Sequence, residues 1–79
     1  MASLSSTFDS DFTPAAGSFS LSCTGGPIRL VRKNPPLTSY AVVGDIQSET
    51  AVVVDNPSAD CVYQVKKIGN SSATFSANQ

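Results

Sequence analysis

The run Asp55-Asn-Pro-Ser-Ala-Asp-Cys-Val-Tyr-Gln-Val-Lys-Lys67, with the ending Ala73-Thr-Phe-Ser-Ala-Asn-Gln79, constrains this chain most. A turn of Asn, Pro and Asp leads into an apolar run centred on Tyr63. A Gly-Asn-Ser-Ser turn follows, and then a short alternating segment. This pattern predicts the final hairpin of a small antiparallel β-domain.

The residues before it repeat the theme. Phe19, Leu21 and Cys23 alternate with Ser18, Ser20 and Ser22, the two-residue period of a half-buried strand. Thr24-Gly-Gly-Pro27 is a turn, and Ile28–Lys33 is the next strand. Asn34-Pro-Pro36 ends it, because neither proline can donate to a ladder. Tyr40–Val43 is a third strand, and Gly44-Asp45 opens a loop that runs to Ser48. Thr50–Val54 is a fourth, and its β-branched density predicts burial on both faces. Cys61–Ile68 and Ala73–Ala77 complete the set. Strands spaced roughly ten residues apart, each closed by a turn signal, predict an all-β antiparallel sandwich or barrel of about six strands.

With 79 residues there is room for one domain and a small core. Composition changes at Gly17. Residues 1–17 hold Ser, Thr, Asp and Pro around isolated Leu4, Phe8 and Phe12, and Pro14 forbids a helix through them. Two readings stand: a loose terminus, or an extended N-terminal arm whose Phe8 and Phe12 dock on a neighbour. The domain proper is then 18–79. Its Val52-Val53-Val54 run and sparse charge predict a homo-oligomer, a trimer or a dimer.

Catalytic chemistry finds little purchase here. The chain has no histidine and no tryptophan, so the usual general base and zinc ligand are missing. Its serines lack a base partner, and Gly25-Gly26 lacks the spacing of a phosphate loop. Asp9 and Asp11 share a face if extended, without a calcium-ligand loop around them. No enzyme, metal or cofactor is expected. Met1-Ala-Ser-Leu-Ser-Ser has neither the basic start nor the apolar run of a secretory signal. A cytosolic start is therefore expected, with Cys23 and Cys61 as buried free thiols. No segment approaches the ~20 apolar residues that span a bilayer.

Net charge is −1, which recruits neither nucleic acid nor an anionic membrane. The one asymmetry is basic. All five cations fall in two strands, Arg29, Arg32 and Lys33 in one, Lys66 and Lys67 in the other. If these strands are neighbours they form a basic patch, read either as solvated edge protection or as a docking surface for an acidic protein.

The frame Gly17-Ser-Phe-Ser-Leu-Ser, Ile28-Arg-Leu-Val-Arg-Lys, Ala51-Val-Val-Val-Asp-Asn-Pro, Val62-Tyr-Gln-Val and Ala73-Thr-Phe-Ser-Ala-Asn-Gln resembles the small all-β structural proteins of tailed bacteriophages. These are capsid decoration (cement) proteins and head-fibre modules. The resemblance covers residues 17–79. It implies a non-enzymatic virion protein, made in the host cytoplasm, that binds the exterior of the capsid shell and stabilises it. The partner it implies is the major capsid protein or another virion protein. Two alternatives remain open: a fibre or lectin-like module for host-surface glycan, and a small protein inhibitor presenting the Asn34-Pro-Pro-Leu37 loop. The candidate partner-binding residues are Phe8, Phe12, Arg29, Arg32, Lys33, Lys66 and Lys67.

Overall fold

A computed structural model describes residues 3–69 and 72–79. It contains seven β-strands: β1 Ser3–Ser5, β2 Gly17–Thr24, β3 Ile28–Lys33, β4 Ala41–Ile46, β5 Thr50–Asn56, β6 Val62–Lys67 and β7 Thr74–Asn78. They form a four-stranded sheet in the order β1-β7-β2-β5 and a three-stranded sheet in the order β4-β3-β6. Every pairing is antiparallel. The shortest dimension, 17 Å, fits two sheets packed face to face about 10 Å apart. The all-β expectation holds, and the architecture is a sandwich.

Period-two alternation explains how the layers meet. Phe19, Leu21 and Cys23 of β2 turn inward, as do Phe75 and Ala77 of β7 and Val54 of β5. From the other sheet come Ile28, Leu30, Ile46, Tyr63 and Val65. Together with Phe12, Cys61 and Ala73 they make one core. The intervening Ser18, Ser22, Thr24 and Thr74 face solvent. Both thiols are buried and unbonded, with Cys23 Sγ 3.0 Å from the Gln47 carbonyl oxygen.

Topology departs from the sequence reading in three places. The expected closing hairpin does not exist: β6 lies in one sheet and β7 in the other. Lys67 therefore ends on one sheet and Thr74 begins on the other, with Gly69 at φ 66° between them. Asn70 and Ser71 of the expected turn lie outside the described residues. Second, β5 is not buried on both faces. It is an edge strand, bonded only to β2, and Val53 is 72% exposed. Third, Gly44 and Asp45 belong to β4 rather than to a loop.

The largest correction concerns residues before Gly17. They do not form a free arm. β1 pairs with β7, which places Ser3–Ser5 on the four-stranded sheet. The chain then crosses to the other sheet and caps the open side of β6. Asp9 N–H donates to the Val65 carbonyl (3.0 Å), and Phe12 and Tyr63 exchange backbone hydrogen bonds of 2.9 and 2.8 Å. Phe12 is 7% exposed. It stacks on Tyr63 at 5.8 Å and meets Phe19 edge-on at 5.8 Å. Phe8, half-buried, sits edge-on to Phe75 at 4.8 Å. The composition break at Gly17 hid this, because a segment that straps two sheets needs only an apolar anchor every few residues.

One buried polar group secures the strap. Asn56, 2% exposed, donates from Nδ2 to the carbonyls of Pro14 (2.9 Å) and Ala15 (2.7 Å). Its Oδ1 lies 3.2 Å from the Tyr63 hydroxyl, which accepts from Arg32 Nη1 at 3.3 Å. The amide of Gln79 clasps Ala15 from the other side, at 2.9 and 3.0 Å. Buried polar atoms must be paired, and these are. The network therefore sets where the N-terminal segment runs.

Candidate functional site

The three-stranded sheet carries the cations. β3 and β6 are neighbours, as the basic-patch reading requires, and Arg29 stands directly opposite Lys66. Like charges in that position repel. Each is answered by an acid from an adjoining segment. Arg29 forms a bidentate pair with Asp45 of β4, at 2.8 and 3.2 Å. Lys66 pairs with Asp9 at 3.0 Å. Across the outer face the two central cations, Arg29 and Lys66, are thus flanked by one acid on each side, Asp45 and Asp9.

The other cations are also engaged. Lys33 lies 5.1 Å from the centre of the Tyr40 ring, and Lys67 lies 5.0 Å from that of Phe8. Arg32 has the opposite parity and reaches the Tyr63 hydroxyl. Asp11 accepts 2.6 Å hydrogen bonds from both the Tyr40 hydroxyl and Gln64 Nε2. The Tyr40 bond, then the Gln64 bond, hold its carboxyl below the ordinary aspartate value, and Asp11 in turn raises Tyr40. The Asp45 carboxyl is lowered by its hydrogen bond to Arg29.

The expected basic docking patch is therefore a mixed-sign surface. Sequence reading located its cations. It missed the acids because they come from β4 and from the N-terminal strap, segments that only tertiary structure brings alongside. Of the two aromatic candidates, Phe12 is committed to the core, and Phe8 is partly covered by Phe75 and Lys67.

At the apolar end of the same sheet, sequence reading reached only the Asn34-Pro-Pro-Leu37 loop, as part of the inhibitor alternative, and missed Val42 and Val43. The β3–β4 connection and the start of β4 expose Leu37 (67%), Val42 (61%) and Val43 (42%). They line an open groove of about 320 Å³ with Arg32, Asn34, Ser39 and Ala41. The register shifts between Leu30, paired with Gly44, and Val31, paired with Val42, so that Val43 is the extra residue of a bulge here. The Leu37 N–H bonds the Asn34 carbonyl at 2.8 Å, closing the loop that holds Leu37 out. Such a cluster can bury apolar surface against a partner, with Arg32 and Asn34 as polar anchors. The one available signal was Leu37 itself, an apolar residue just after two prolines in a loop.

Among the described residues, no group of three or more His, Cys, Asp or Glu is placed to hold a metal ion. No described helix is long and apolar enough to cross a membrane. Comparison with protein-family models, curated proteins and solved structures finds no match.

Proposed function

We propose that this chain is a non-enzymatic binding module that docks on a larger protein assembly through the β3–β4 end of its three-stranded sheet. The grouping of Leu37, Val42 and Val43 around one groove carries the reading. Burying each side chain on a partner would contribute at most roughly 1.5–3 kcal/mol. The ion pairs Arg29–Asp45 and Lys66–Asp9 on the same sheet would fix orientation rather than supply affinity. Buried thiols and a chain without histidine support a binding role over a chemical one.

The resemblance to small phage β-proteins makes the assembly a virion and this chain a decoration protein on its shell, with the major capsid protein as partner. The rigid two-sheet body suits that task, since little ordering entropy is lost on docking.

Mass spectrometry of purified particles tests the reading. A copy number matching a symmetric set of shell positions supports it. Leu37→Asp with Val42→Asp should then abolish retention on the shell while the β-sheet circular dichroism stays unchanged. Absence from the particles, with specific binding on a glycan array, would replace the virion reading by the fibre or lectin-like one.

A further inference from the structure

A sandwich of two open sheets has four edges, and an edge is a template for another strand. Three of the four are blunted here. The β6 edge is capped by the Asp9–Phe12 strap. The β1 edge is three residues long, with an irregular register. The β4 edge is broken by the shift between Leu30 and Val31.

The β5 edge has none of these devices. All seven residues from Thr50 to Asn56 pair with β2 in one uninterrupted register. No proline or lysine interrupts them. Among the described residues no strand pairs on the far side of β5. Its outer face presents Ala51, Val53 and Asp55, with Val53 at 72% exposure.

We propose that β5 pairs antiparallel with β5 of a second copy, about a two-fold axis at Val53. The pairing joins the two four-stranded sheets edge to edge. Charge selects this register. Val53 is the middle residue of Thr50–Asn56, so the axis there uses the whole strand. It sets Val53 against Val53, and Ala51 against Asp55 of the second copy. The strand's only charged side chain, Asp55, then faces a methyl group rather than its own copy. An axis at Asp55 would oppose two carboxylates, and like charges directly across a ladder are disfavoured. The interface is isologous, so it closes at two subunits instead of growing into a fibre. It lies on a different strand from the β3–β4 groove and does not depend on what that groove binds.

Sedimentation equilibrium of the purified chain at up to about 1 mM should fit a monomer–dimer equilibrium whose larger species has twice the 8.2 kDa of one chain. Val53→Lys places two cations on the axis and should weaken association at least tenfold with unchanged circular dichroism. Ala51→Glu, opposite Asp55, should weaken it too, whereas Ala51→Lys should tighten it. Under mild oxidation Val53→Cys should give a disulfide-linked dimer, because directly paired residues lie about 4.5–5.5 Å apart at Cα. Ala51→Cys should not, because its own copy then lies four residues along the ladder. A monomer throughout the series overturns the proposal. So does a dimer indifferent to Val53→Lys that fails to cross-link through Val53→Cys.

Discussion

Replacing Phe12 with alanine should come close to unfolding the protein. The ring is 7% exposed, packed between Tyr63 and Phe19 at 5.8 Å from each. Removing a buried phenyl group costs about 3–5 kcal/mol, the sum of lost transfer energy and the cavity left behind. The surroundings resist collapse. Phe12 is held by two backbone hydrogen bonds to Tyr63, and Tyr63 is fixed by the Asn56 network. A domain of this size has a total stability of about 4–12 kcal/mol. Even the lower loss of ~3 kcal/mol would drop the melting temperature by roughly 12–24 °C. Phe8→Ala should cost less, because that ring is only half-buried. Urea titration followed by far-ultraviolet circular dichroism measures both. A Phe12→Ala variant that melts within about 3 °C of the parent would refute the reasoning. The strap would then be separable from the core, and its rings would be free to serve a partner.

The remaining predictions concern the strap, a turn and pH. Tyr63→Phe leaves Asn56 Oδ1 buried without its donor, 3.2 Å away in the parent, and should cost about 1–3 kcal/mol by the same titration. Gly25 has φ +79°, and a Cβ there would sit 2.6 Å from the Ser72 carbonyl oxygen, so Gly25→Ala should destabilise by more than about 1 kcal/mol. The lowered Asp11 carboxyl contributes stability above the ordinary aspartate value, lost as pH falls through its folded value; the raised Tyr40 phenol contributes below about pH 10, lost as pH rises through its folded value. Melting curves across pH should therefore fall at both ends. Asp11→Asn should remove the alkaline fall assigned to Tyr40 and soften the acid one; an unchanged profile would sink the pairing.

Much of the strand content was readable because it is local. Phe19, Leu21 and Cys23 declare a strand by alternation with serine, whatever it pairs with. Asn34-Pro-Pro36 declares a break because proline cannot donate. The candidate site was less legible. Its cations were visible in sequence, but Arg29 and Lys66 acquire Asp45 and Asp9 only when β4 and the strap come alongside. Exposure of Val42 was invisible, since a valine in a run of valines looks equally suited to either face.

The sequence by itself determined that this chain is all-β, roughly where most of its strands lie, and which side chains of β2 turn inward. Those properties follow from a two-residue period and from turn chemistry, which act over a few neighbouring residues. Tertiary structure alone decided which sheet each strand joins, that β6 and β7 part company, that β5 is an edge, and that Phe12 is core. Each of those depends on a partner distant in sequence. Phe12 and Tyr63, or Asn56 and Pro14, meet only after the chain has crossed between the sheets. Strand formation uses hydrogen bonds that many partners could supply, and the choice among partners falls to side-chain packing and buried polar pairing summed over the whole core.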